Sequence, residues 1–168
     1  MRGREFFTFK SSKKIAFKEK RYNLHSFRFF LYCALSCNEP GIPMKVKFTL
    51  EYSMNCSPLV LYPRLSTPGG LSEWFADNVN VEGKYYIFYW DGTAQKAELQ
   101  FKRENFFIRF RWMDDPQENT FFEFRIVSDE LTGDIALMIT DYADEDEKVD
   151  AIDLWNSQVS SLKHCVGV

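Results

Sequence analysis

From residue 44 onward apolar and polar side chains alternate along the chain. Val46, Phe48, Leu50 and Tyr52 are separated by Lys47, Thr49 and Glu51, the period of two that marks a strand with one buried face. Ser57-Pro58 reads as an N-cap followed by proline at the first helical position. A short helix over 58–66 is expected there, weakened by Pro63, which lacks a backbone donor. Thr67-Pro68-Gly69-Gly70 reads as a break, followed by a second short helix over 71–76 that carries Trp74 and Phe75. Strands are then expected in succession over 79–81, 84–90, 94–102, 106–112, 121–127 and 134–142. Glu82-Gly83, Asp91-Gly92, Asp114-Asp115-Pro116 and Thr132-Gly133 supply the turns between them. Within the strands Ala97, Leu99 and Phe101 share a face. So do Phe106, Ile108, Phe110 and Trp112, then Phe122, Phe124 and Ile126, then Ile135, Leu137 and Ile139.

Past residue 143 the period changes to that of a helix. Val149, Ile152, Trp155, Val159 and Leu162 recur in steps of three and four and define one stripe. Asp144, Glu145, Asp146 and Glu147 stand at the positive end of the helix dipole, Lys163 and His164 at the negative end, and Gly167 is a stop. The order predicts an α+β fold: a curled antiparallel sheet around a long C-terminal helix, with two short helices after the first strand. A sheet with one apolar face needs cover, and only the last helix is long enough to supply it. A sheet curled around a helix tends to leave space between the two.

Residues 1–43 lack either period and carry nine Lys/Arg against three Asp/Glu, whereas residues 44–168 carry twelve against twenty-one. Compositions so different rarely belong to one folding unit. The chain is therefore divided into a basic extension, 1–43, expected to be disordered or outside the native domain, and one domain, 44–168. The favoured reading makes Met44, directly after Pro40-Gly41-Ile42-Pro43, the true initiator and the residues before it an over-extended reading frame. A signal peptide built on the apolar run 29–37 and a basic amphipathic membrane segment are the alternatives. The run is too short to span a bilayer.

Charge and composition narrow the function. An acidic domain lacks the basic face that phosphate binding needs, which argues against nucleic acid. Cys33, Cys37, Cys56 and Cys165 form no CxxC pair and no zinc-spaced cluster, so reduced thiols in a cytoplasmic protein are expected, with no metal and no cofactor. The 17 Phe, 8 Tyr and 4 Trp of this 168-residue chain must fill a core, line a pocket or face a partner.

The order of elements resembles the START-like (helix-grip) superfamily, which includes polyketide cyclase-like proteins and activators of the Hsp90-type chaperone ATPase. Residues 66–77, Ser-Thr-Pro-Gly-Gly-Leu-Ser-Glu-Trp-Phe-Ala-Asp, look like its second-helix motif. Trp90-Asp91-Gly92, residues 139–144 and residues 154–159 with Leu162-Lys163 are similar to a START-like group found mainly in Bacteroidetes. The resemblance covers nearly all of 44–168. It implies a cavity between sheet and helix that binds a small, lipid-like or aromatic ligand without catalysis, or else a protein-interaction module of the chaperone-activator kind with no ligand.

The residues expected to line such a cavity are Trp74, Phe75, Tyr86, Phe88, Phe106, Ile108, Phe110 and Trp112. Phe122, Phe124, Leu137, Ile139, Trp155 and Val159 complete the set. Tyr85, Tyr86 or Tyr89 would orient a ligand by its polar end. The plain alternative is that these rings fill a core. The acids Asp141 and 144–147 read as helix-terminus charges rather than a cation site. Arg109, Arg111, Glu123 and Arg125 read as charge pairs on the solvated face, or as a partner-binding ladder. His164 reads as a helix-end cation. No Ser/His/Asp or Cys/His set assembles, so catalysis would fall to scattered residues such as Tyr85, Tyr86, Glu98 or Asp141.

Overall fold

The computed structural model of the protein describes residues 44–168. The expectations for the basic extension, including Cys33 and Cys37, lie outside the described residues. Chain order is β1 (Val46–Met54), α1 (Pro58–Ser66), α2 (Pro68–Ser72), β2 (Asn78–Glu82), β3 (Tyr85–Trp90), β4 (Thr93–Arg103), β5 (Phe107–Trp112), β6 (Phe122–Ser128), β7 (Ile135–Ala143) and α3 (Lys148–Val166). The strands form one antiparallel sheet in the order β1-β7-β6-β5-β4-β3-β2. Strands β2 to β7 follow one another as hairpins. The β3–β4 turn uses Asp91 and Gly92, both at positive φ (46° and 80°), the geometry a two-residue hairpin needs. β1 closes the sheet by pairing with β7, Val46 opposite Ala143 through Met54 opposite Ile135. α1 and α2 therefore carry the chain from one edge strand to the other.

Five local expectations are corrected. The sequence from Thr67 starts a helix rather than breaking one: the Thr67 hydroxyl accepts the Gly70 N–H at 3.0 Å, and Pro68 occupies the first turn, where its missing donor costs nothing. The helix ends at Ser72, so Trp74 and Phe75 lie in the turn after it. In β4 the register shifts between Leu99 and Phe101. One extra residue reverses the alternation, and Phe101 faces outward, 60% exposed, opposite Arg109. Phe106 belongs to the β4–β5 turn, not to β5. Asn105 stands at φ 60° and turns the Phe106 ring out under the Arg103 guanidinium, 4.1 Å away, leaving it 49% exposed. On α3 the buried stripe is Ala151, Trp155, Val159 and Leu162. Val149 is exposed because it lies two residues, roughly 200° of helix, from Ala151.

The rest of α3 is as its pattern predicts. Gly167, at φ 78°, closes the helix. Its N–H donates to the His164 carbonyl at 3.2 Å and that of Val168 to the Lys163 carbonyl at 3.0 Å, which satisfies end carbonyls that would otherwise lack donors. His164 is exposed, with Nδ1 2.8 Å from the Ser160 carbonyl. α1 accommodates Pro63, and α1 and α2 approach closely at Gly70, where a Cβ would lie 2.2 Å from the Pro63 carbonyl oxygen.

Candidate functional site

Alternation along β3, β5, β6 and β7 aims one set of side chains at α1, α2 and α3. Phe88, Ile108, Phe110, Phe122, Phe124, Leu137 and Ile139 are fully buried, and Trp74, Phe75, Tyr86, Trp155 and Val159 nearly so. Trp112 is half-buried against the same cluster. The structure thus gathers every residue expected to line a cavity except Phe106. It gathers them against one another. Phe75 stacks on Trp155 with centroids 5.7 Å apart and meets Phe88 edge-on at 5.2 Å. Trp112 stacks on Phe122 at 4.6 Å, Phe122 on Phe110 at 5.1 Å, and Phe124 meets both Trp74 and Trp155, at 5.5 and 5.7 Å. These are spacings of rings in direct contact. Trp90, missed as an interior residue, stacks on Phe88 at 5.7 Å.

The polar ends of these rings are already taken. Trp74 Nε1 donates to the Arg64 carbonyl at 2.9 Å, and Trp90 Nε1 to that of Phe75 at 2.8 Å. The Tyr86 hydroxyl donates to the Ser66 carbonyl at 3.0 Å, and burial pushes its pKa up. Tyr85 and Tyr89 do not face the interior: they pair with Glu98 and Ala94 on the outward side of β3. Tyr85 carries the Lys96 ammonium 4.4 Å above its ring, and Glu98 pairs with Lys84. Two depressions open to solvent instead. One of about 590 Å³ is lined by Glu51, Ser53, Val127, Asp129, Thr132 and Asp134 among others, and one of about 370 Å³ by residues 54–58 and 133–135. Neither is lined by any of the fourteen residues expected to line a cavity.

Asp141 is also corrected. It stands on the inward side of β7, opposite Phe48, and accepts the Trp155 indole N–H at 2.9 Å, so it is not part of the acidic helix terminus. The residue as a whole is half-buried, with its carboxyl turned under α3, and burial pushes its pKa up to about 6. Near it, the Asp115 carboxyl accepts from Lys45 Nζ at 2.7 Å, the Thr120 hydroxyl at 2.7 Å and the Gln117 N–H at 3.0 Å. Burial alone would raise Asp115, but these donors together hold it below its ordinary value. The four acids at 144–147 precede α3, whose cap residue Glu147 makes no side-chain cap bond. Among the described residues no three His, Cys, Asp or Glu side chains are grouped to hold a metal ion, and no helix is long and apolar enough to cross a membrane.

The outward face of the sheet carries the expected charge pairs except at Arg111, whose Nη2 donates to the Asp115 carbonyl at 3.3 Å. Glu123, only 4% exposed, binds two guanidinium groups: Arg109 through Nε and Nη2, both at 2.8 Å, and Arg125 through Nε at 2.9 Å and Nη2 at 2.8 Å. Arg109 lies 3.8 Å above Phe121 and Arg125 4.7 Å above Phe107. Phe107 shares the outward side of Arg109 and Arg111 by alternation, whereas Phe101 and Phe121 were not singled out as outward residues.

A seven-stranded antiparallel sheet gripping a long C-terminal helix, with two short helices bridging its edges, defines an α+β helix-grip domain. The chain belongs to the START-like superfamily, whose family model matches residues 42–168. Among solved structures it is similar to BfR322 from Bacteroides fragilis, determined by NMR, at 42% identity and a TM-score of 0.54, covering 72% of this chain and 90% of that one. It shares its fold with the Aha1 dimer of Colwellia psychrerythraea (18% identity, TM-score 0.61, 72% and 96% covered). It also shares it with XoxI of Bacillus cereus (11% identity, TM-score 0.61, 72% and 95% covered). No curated protein matches it.

Proposed function

We propose that this domain is a non-catalytic protein-interaction module of the chaperone-activator kind, working through its surface while its interior serves as packed core. The observation that supports this reading is the contact of ring with ring throughout the space where a ligand would sit. A ligand cavity needs a wall on one side and free volume on the other; here each wall side chain meets another side chain, and the indole and phenol donors of Trp74, Trp90 and Tyr86 are bound to backbone carbonyls. A small hydrophobic ligand, the other use of this superfamily, would have to part these rings. The free thiols of Cys56 and Cys165 suit a cytoplasmic setting. The partner class proposed is an Hsp90-type chaperone, on which activators of this superfamily act.

Native mass spectrometry of the full chain purified from cells tests the reading. The mass of the polypeptide alone is expected, and addition of the protein to an Hsp90-type chaperone should raise its steady-state ATP hydrolysis. A small molecule retained at one copy per chain would overturn the reading in favour of ligand binding.

A further inference from the structure

The outward face of β1, β7, β6, β5 and β4 carries a continuous run of rings and cations. Lys47 and Arg109 both lie over Phe121, at 5.7 and 3.8 Å, and Phe121 meets Tyr142 edge-on at 5.3 Å. Arg109 reaches toward Phe101, 5.9 Å away, and through Glu123 it is tied to Arg125, which covers Phe107. Arg103 pairs with Phe107 across the strands and covers Phe106. Arg109 and Arg125 hold both oxygens of the Glu123 carboxylate, and Lys47 and Arg103 lie over neighbouring rings of the same face. The face is locally basic on a domain with twelve Lys/Arg against twenty-one Asp/Glu. Phe101 and Phe106 stand beside these cations 60% and 49% exposed.

We propose that this sheet face is the docking surface of the module, and that its occupant is an acidic segment of the partner protein with apolar side chains between its carboxylates. The inference rests on the interaction reading above and names the partner's chemistry. Charge complementarity carries it. The guanidinium groups are held in place by Glu123 and by the rings beneath them, so they lose little freedom when a carboxylate arrives. A basic face on an acidic body orients an acidic partner toward that face alone. Aromatic rings and arginine are the side chains that carry most binding energy at protein interfaces, and the exposed Phe101 and Phe106 offer the apolar contact a purely ionic site lacks. A single-stranded nucleic acid fits less well. Base stacking needs open ring faces, and those of Phe107 and Phe121 lie under guanidinium groups, while the acidic remainder of the domain repels phosphate.

The experiment measures fluorescence anisotropy of a labelled peptide composed of glutamate, aspartate and leucine, titrated with the full chain. A peptide with lysine in place of the acids and a labelled oligothymidine serve as comparisons. Saturable binding of the acidic peptide is expected, weakened by salt and weakened about tenfold by Lys47→Glu with Arg103→Glu, two substitutions at exposed positions. Phe101→Ser, which adds no charge, should weaken it several-fold with the melting temperature unchanged, so a folding defect in the charge variant leaves the proposal open to refutation. Absence of peptide binding, equal affinity in both variants, or stronger binding of oligothymidine would each overturn it. A chain that carries no small molecule yet ignores the peptide would leave the interaction reading standing and remove this surface from it. A chain that retains a small molecule and also binds the peptide would do the reverse.

Discussion

Asp141 is a carboxylate in an interior otherwise built from rings and aliphatic chains, and its position makes stability depend on pH against the usual trend. Its carboxyl, pushed up to about 6 by burial from an ordinary value of 3.8, holds a proton more tightly in the folded protein than in the unfolded chain. The stability it contributes is therefore fully present below about pH 4 and is lost as the pH rises through about 6. Asp115 runs the other way. Lowered by Lys45, Gln117 and Thr120, it contributes stability above its unfolded value, lost as the pH falls through its folded one. Asp141→Asn keeps an acceptor for the Trp155 indole and removes the titration. Urea midpoints of the variant should fall less than those of the parent between about pH 5 and about pH 7.5, and equal falls would show that Asp141 titrates normally. Trp155 itself is 5% exposed, stacked on Phe75 and bonded to Asp141. Trp155→Ala should cost about 3–5 kcal/mol, read as a lower denaturant midpoint; an unchanged midpoint would place the ring outside the core. The burial of Trp155 was legible from its place on the helical stripe. Its partner was not, because an acid seven residues before a helix, close to the run of acids at 144–147, reads first as a helix-terminus charge.

Among the elements, those whose residues obey a single period were legible and those that change phase were not. β1, β3, β5, β6 and β7 lie within a residue or two of where alternation puts them, since a half-buried strand must alternate. Phe101 and Phe106 escaped because a bulge and a left-handed turn residue each reset the phase; Gln100 does not announce this by composition, whereas Asn105, of a type that readily takes positive φ, was the available signal. On α3 the buried stripe passes through Ala151, too small to count in a tally of large apolar residues, so Val149 was read in its place. The α1–α2 corner was misread because proline and glycine there serve a cap and a close approach instead of a break. Gly70 is the residue that makes the corner possible. Gly70→Ala would push a methyl group into the Pro63 backbone, where no flexible side chain can move aside, and should lower stability by about 1–3 kcal/mol or more. Gly69→Ala, with nothing within 4 Å of its Cβ, is the control and should leave the thermal midpoint nearly unchanged. Equal effects at the two positions would contradict the close approach.

For the whole molecule, the distribution of charge and the filling of the interior point the same way. Acids dominate the domain, yet the outward sheet face gathers arginine, lysine and exposed rings, and the inward face leaves its aromatic side chains touching one another. That the inward rings belong together was legible, because thirteen of the fourteen residues expected at a cavity wall do meet there. Whether they enclose space or occupy it depends on the depth of the curl and on the seating of Trp74 and Phe75 in the turn after α2, which local periodicity does not encode. The most direct measurement of this central claim is the equilibrium unfolding of Phe110→Trp. Phe110 is wholly buried between Tyr86, Phe88 and Phe122, so in a filled interior the larger indole must displace a neighbour and cost about 1–3 kcal/mol. A variant as stable as the parent would show that free space adjoins Phe110, and would contradict the packed interior on which the surface-acting module rests.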